Sequence, residues 1–244
     1  ELVGLADRYL EREMPRAAFE VVKVAAGFAP AGLAAREQQA RRDIDSWNAA
    51  QVAARAAELQ PPADDGAVLR EWFATGTPLY AGATTAWRVE GARARVEQLV
   101  GGDFAAILPK PGLPPLKSAA IHVHLPAVGC SAGFCLDVVS NSDFAIARLE
   151  RLPHGLALSA YRWRGEKWTR LAYEDIAMPA WKREGWFDVR LEAGASGIEV
   201  HAAGQKITID QSRLGIAKDR YGLFAGADGK QAVTVEACAF RFSR

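Results

Sequence analysis

From about residue 84 to residue 244 the chain runs through twelve or thirteen short alternating segments bounded by glycine, proline, asparagine or aspartate. No other feature narrows its possible folds as far. "TAWRVE", "AAIHVHL", "FAIARLE", "KWTRLAY" and "WFDVRLEA" are examples, and a two-residue period is the mark of strands with one buried face. That many strands, so closely spaced, bury those faces by stacking two sheets. The clearest hairpin is "SGIEVHAAGQKITID", residues 196–210. Ile198 and Val200 point one way and Glu199 and His201 the other, "AAGQ" reverses the chain, and Ile207 and Ile209 resume the apolar face. The expected fold is therefore mainly β, a two-sheet antiparallel sandwich, preceded by an α-helical segment.

That segment spans residues 1–60. Alanine, leucine and long charged side chains at helical spacing predict helices over 2–13, 15–28 and 31–59, the last broken near Ser46. "LVGLADRYLEREMPRAAFEVVKVAAGFAP" resembles one tetratricopeptide unit, with Leu2, Leu5, Ala6 and Tyr9 on its first helix, Ala18, Val22 and Ala25 on its second, and Pro30 at its end. Such units need about three neighbours to bury a core, so a lone one implies a cap, the end of an array or a docked helical hairpin. "QPPADDG" breaks the chain at 60–66. Residues 61–83 are expected to be a linker with one short helix, "AVLREWFATG", and 84–244 the sandwich.

Thirty Lys and Arg nearly cancel 29 Asp and Glu, so no global field favours nucleic acid or an anionic membrane. No apolar run reaches the roughly 18 residues a membrane helix needs, and no signal pattern opens the chain. It begins with Glu1, which suggests a processed chain or a fragment. Cys130, Cys135 and Cys238 cannot all pair with one another. They read as buried small hydrophobes, or as one disulfide, Cys130–Cys135 or Cys135–Cys238, which would support an oxidising compartment. Cys238 is expected to face the core in phase with Phe240 and Phe242. An extracytoplasmic location is the expectation.

"AWRVEGARARVE", "SAGFCLDVVSNSDFAIARLE", "GWFDVRLEAGASGIEVHAAGQKITI" and "YGLFAGADGKQAVTVEACAFRF" follow one another in an order that resembles the concanavalin A-like lectin and glucanase superfamily. That jelly-roll group includes laminin-G-like modules and the 3-keto-disaccharide hydrolase-like domains common in bacteria. The resemblance implies a jelly-roll sandwich over about two thirds of the chain. It also implies glycan or protein binding, or glycoside chemistry, without saying which. Retaining glucanases of the superfamily carry an E-x-D-x-E strand, which puts nucleophile and acid on one face; this chain has none.

Three groups of residues are candidates for a site. Leu156, Leu158 and Ala160 facing inward would turn Tyr161 and Trp163 outward, and a turn at "RGEK" would pair Trp163 with Trp168 and place Arg170 beside them. Aromatic faces backed by arginine stack on sugar rings or anchor protein partners, although a cross-strand aromatic pair also simply stabilises a hairpin. Asp188 and Glu192, with Glu199 and His201 across the neighbouring strand, form an alternative acidic face. Arg190 between the acids would hold both ionised, which is wrong for a proton donor, so a salt-bridged surface is the simpler reading. His122 and His124 share a strand face at a spacing compatible with metal, yet nothing in the sequence fixes a third ligand. Trp181 and Trp186 read as core or rim residues and "GADGK", 226–230, as a turn. No nucleophile elbow, dinucleotide fingerprint or zinc-protease helix appears, and no cofactor is expected.

The leading expectation is a non-catalytic recognition or assembly protein that binds glycan or protein through an outward sheet face. Its alternatives are a glycoside-processing hydrolase, marked by two carboxylates about 5–10 Å apart in a groove, and a structural subunit of a large complex, marked by those rings buried against another chain and no groove of ligand size.

Overall fold

The computed structural model describes residues 15–28, scattered positions between 38 and 53, and then 66–73, 76–80, 87–110, 117–178, 185–214, 221–228 and 232–243. The chain divides into two compact units, Glu1–Glu58 and Leu59–Arg244. In the first, helix α1 (Pro15–Phe28) buries Ala18 and Val22 and leaves Glu20, Lys23 and Val24 exposed. Proline at its first position suits a helix start, where no N–H partner is needed. The rest of the tetratricopeptide-like pattern, including Leu2, Leu5, Tyr9, Ala25 and Pro30 as packing residues, lies outside the described residues.

The second unit is a sandwich of two seven-stranded antiparallel sheets. Its strands are β1 (Thr77–Tyr80), β2 (Arg88–Glu90), β3 (Arg93–Leu99), β4 (Asp103–Leu108), β5 (Ser118–His124), β6 (Cys130–Ser140) and β7 (Asp143–Leu152), followed by β8 (Gly155–Arg164), β9 (Lys167–Ala177), β10 (Trp186–Ala193), β11 (Gly197–Ala202), β12 (Gln205–Asp210), β13 (Gly222–Ala227) and β14 (Val233–Ser243). The front sheet runs β1-β4-β13-β6-β7-β8-β9 and the back sheet β12-β11-β10-β5-β14-β3-β2. The late strands β13 and β14 sit inside the sheets, between β4 and β6 and between β5 and β3, so chain ends and middle interleave as in a jelly roll.

Within 61–83, the described residues enter the sandwich. Helix α2 (Ala67–Phe73) buries Leu69, Trp72 and Phe73 in the sandwich core, and β1 forms the edge of the front sheet against β4. The buried core between the sheets is built from alternate residues: Ile121 and Val123 of β5, Val189 and Leu191 of β10, Val200, Ile207 and Ile209 of the 196–210 hairpin, and Ala132, Phe134, Leu149, Leu156 and Leu158 from the front. The hairpin turns on Ala203 and Gly204, both at positive φ (49° and 78°), as a two-residue turn matched to strand twist requires.

All three cysteines are buried thiols with no disulfide among them. Cys130 and Cys135 lie an odd number of residues apart on β6, so Cys130 faces the inter-sheet core and Cys135 the opposite side. The expected phase of Cys238 is overturned. Ala239 adopts φ 52° and the register between β14 and β5 shifts between Cys238 and Arg241. This β-bulge turns Ala237 and Phe240 into the core and sets Cys238 opposite His122 on the other face. Burial pushes the Cys135 thiol up to about 12. Thiol reagents are therefore expected to label none of the three in the native protein and all three in denaturant; fast native labelling would contradict this burial.

Candidate functional site

Most front-sheet strands do not alternate. β4, β6 and β13 are buried almost end to end, which means apolar contacts on both faces. The face turned away from the back sheet carries its own cluster of Leu79, Phe104, Ala106, Cys135, Val138, Phe144, Ile146 and Phe224, with Tyr161, Trp163 and Trp168 packed against it. Phe104 is the hub. Its ring centre lies 5.9 Å from Phe224, 5.8 Å from Trp163 and 5.5 Å from Trp168, the two tryptophans meeting it edge-on.

The aromatic hairpin is where the residue pattern puts it. β8 and β9 pair Trp163 with Trp168 and Tyr161 with Arg170, and the tryptophan centres stand 4.9 Å apart. The four residues then divide. Tyr161 and Trp168 line a cavity of about 220 Å³ with Phe104, Phe224, Ile146 and the polar groups Asp103, Arg148 and Asp228. Trp163 instead packs against Phe104, and the exposed Arg170 guanidinium lies 5.4 Å over Tyr173. Two phenylalanines that line the cavity, Phe104 and Phe224, are not among the sequence candidates. Their signal was the continuous apolar runs "FAAIL" and "GLFAGA", where alternation fails because both strand faces are covered.

Beside the rings runs a line of polar groups. Arg148 Nη1 donates to Ser131 Oγ at 3.0 Å and Nη2 to Glu150 Oε2 at 2.9 Å, with Asp228 Oδ2 4.0 Å from the same nitrogen. The guanidinium carbon lies 5.4 Å over the Tyr161 ring. Burial raises the Glu150 carboxyl above its ordinary value, against the pull of Arg148. Tyr173 donates to Asp175 at 2.9 Å, and burial together with that bond pushes its phenol up to about 12.

The back sheet brings the alternative acidic face together as a salt-bridged surface. Glu192 stands opposite Glu199, and Arg190 opposite His201. Asp188 bonds to Arg190 and lies 3.4 Å from His122; Lys206 donates to Glu199 at 2.9 Å and, by that bond and its charge, holds the carboxyl below its ordinary range. His122 and His124 share a face but go to separate acids. His124 lies 3.9 Å from Glu236 and stacks on Trp186 at 5.5 Å between ring centres. The described residues that come nearest to a metal set are Glu192, Glu199 and His201, whose ligand atoms all lie within 4.8 Å of one another. A cleft of about 670 Å³ borders this group, with Trp186, Asp188, Arg190, Glu192 and His201 in its wall. Trp181 lies outside the described residues.

No protein-family model matches the chain, and no curated protein matches its sequence. Solved structures do match by shape. The carbohydrate-binding module CBM66 from Bacillus subtilis superposes with TM-score 0.50 at 10% identity, covering 70% of this chain and 94% of that one. A legume lectin-like domain from Entamoeba histolytica gives 0.47 at 13% identity, covering 76% and 96%. The GH43 protein BlXynB from Bacillus licheniformis gives 0.44 at 14% identity over 64% of this chain, which spans only 34% of that protein. At such identities the likeness speaks of fold alone, and the first of them agrees with the jelly-roll topology.

Proposed function

We propose that the second unit is a non-catalytic recognition domain that binds glycan through the outer face of its front sheet, in the cavity walled by Tyr161, Trp168, Phe104 and Phe224. One observation carries the reading: an aromatic wall and a row of hydrogen-bonding side chains, Asp103, Arg148 and Asp228, meet in one concave space. A sugar ring has the same two-sided chemistry, with C–H groups to lie on rings and hydroxyls to be bonded at its rim. Its shape neighbour from Bacillus subtilis is a carbohydrate-binding module, which is in line with the reading. A glycan ligand would suit an extracytoplasmic location, although the buried thiols lend no disulfide to that argument. Among the described residues no helix is long and apolar enough to cross a membrane.

The test is a glycan array on the full chain, followed by titration of Trp168→Phe and Asp228→Ala. Trp168→Phe keeps an aromatic ring in the cluster but shrinks the stacking surface, and Asp228 is an exposed rim group. Each is expected to weaken binding about tenfold or more while unfolding transitions stay close to wild type. Unchanged affinity in both variants would remove this surface.

A glycoside hydrolase is the second reading, and one observation favours it. Glu150 and Asp228 approach the same guanidinium nitrogen at 2.9 and 4.0 Å, so their oxygens lie no more than about 7 Å apart, a bound that admits the spacing of paired catalytic carboxylates. This reading needs the burial that raises Glu150 to outweigh the Arg148 beside it; Glu150 would then be the proton donor. Release of sugar from aryl glycosides by the wild type, lost in Glu150→Gln, would establish it; glycan binding without turnover would exclude it.

A further inference from the structure

The charge of the front-sheet cavity is lopsided. Asp103 and Asp228 both stand in its wall, and they are neighbours, because Asp103 pairs with Ala227 across β4 and β13. Against these two carboxylates the described lining offers one cation, Arg148. A third carboxylate, Glu150, already accepts from that arginine.

Arg148 is already engaged. Nη1 goes to Ser131 and Nη2 to Glu150, and Nε, which makes no hydrogen bond, is buried. Glu150 and Tyr161 hold the guanidinium from two sides, so an anionic ligand would have to share it with a carboxylate already in place. With or without Glu150 in the sum, the described residues around the space carry more negative than positive charge. Its aromatic walls keep the local dielectric below that of water, which magnifies any like-charge contact.

We propose that this cavity selects by charge, accepting a single sugar ring that is neutral or carries an ammonium group and rejecting rings that carry a carboxylate, sulfate or phosphate. The inference rests on the glycan-binding reading above and deepens it. Neutral hydroxyls can donate to Asp103 and Asp228, and an ammonium group makes the stronger, charge-assisted version of the same bond. An anionic substituent meets two carboxylates instead, and like charges brought together at an interface are a strong means of exclusion. The limit to one ring follows from size. About 220 Å³ falls below the roughly 300–1,000 Å³ of ordinary ligand pockets.

The experiment compares, on the full chain, neutral hexosides, the matching hexosaminides and the matching uronides, with sialylated and sulfated glycans as further anionic probes. Affinities are measured at low and high salt for the wild type and for Asp103→Asn and Asp228→Asn. The neutral ring is expected to bind at least about tenfold more tightly than its uronide, and the hexosaminide at least as well as the neutral ring. Salt should narrow the gap by screening the repulsion, and the asparagine variants should narrow it by removing a charge at constant shape. A uronide bound as tightly as the neutral ring overturns charge selection while leaving glycan binding standing. So does a gap that neither asparagine variant alters. Absence of binding to every glycan tested, neutral ones included, overturns both readings.

Discussion

Arg162→Met is expected to destabilise the sandwich by about 3–5 kcal/mol, because it breaks a buried ion cluster from one side only. The Arg162 side chain is 9% exposed and bonds to Asp137, itself 5% exposed, and to Asp143, which Nε reaches at 2.7 Å. Asp137 sits at φ 47° where the register of β6 against β7 breaks between Leu136 and Ser140. Aspartate tolerates this left-handed conformation better than most residues, and methionine would leave its carboxylate in the interior without the guanidinium. Arg162→Lys should fall between the two, since one ammonium cannot bridge two carboxylates as a planar fork does. Urea and thermal unfolding read the effect; a loss under about 1 kcal/mol for the methionine variant would show that the pair is solvated.

The same cluster gives the stability a direction with pH. Burial alone would raise Asp143, but hydrogen bonds from Arg164 and Arg162, with their charges, outweigh it and hold the carboxyl below its ordinary value. A group depressed on folding contributes stability that is present above its unfolded pKa of about 3.9 and lost as pH falls through the folded one. Acid should therefore erode wild-type stability below about pH 5. Asp143→Asn should flatten that slope, and an unchanged slope would remove Asp143 as its source.

Phe240→Ala is expected to cost about 3–5 kcal/mol, as large-to-small changes at buried aromatic positions do. Phe240 is 2% exposed. It meets Trp72 and Phe73 of α2 edge-on at 5.6 and 5.2 Å and approaches Phe134 of β6 at 6.4 Å. One ring thus ties the back sheet, the front sheet and the helix together, so its loss should appear in unfolding midpoint and near-ultraviolet dichroism alike. A cost below about 1 kcal/mol would mean that the neighbouring rings close the cavity.

Both positions show where reading along the chain succeeds and where it stops. The strands of the back sheet could be recognised one by one, since β5, with burial alternating along its whole length, has one wet and one dry face. The hairpin of β11 and β12 and the Trp163–Trp168 pairing follow from the same two-residue period and the position of turn residues. Bulges break that period without a residue that announces them. Ala239 takes a positive φ that alanine seldom adopts, so counting places Cys238 in the core and the structure places it on the other face. The candidate cavity was half visible for a related reason. Tyr161 and Trp168 lie on one hairpin, whereas Phe104 and Phe224 come from β4 and β13, strands more than a hundred residues apart whose pairing no local pattern encodes.

Alternation of side chains, a property of neighbouring residues, was enough to call for two stacked sheets, to orient the aromatic hairpin and to set the acids of β10 and the histidines of β5 each on the polar face of their own strand. Which strands lie side by side was settled by folding, because pairing β13 between β4 and β6 is a long-range choice made by the packing of whole faces. That choice brings Asp103, Arg148 and Asp228 to the edge of an aromatic wall, and their proximity, rather than the identity of any one of them, creates the cavity and its charge.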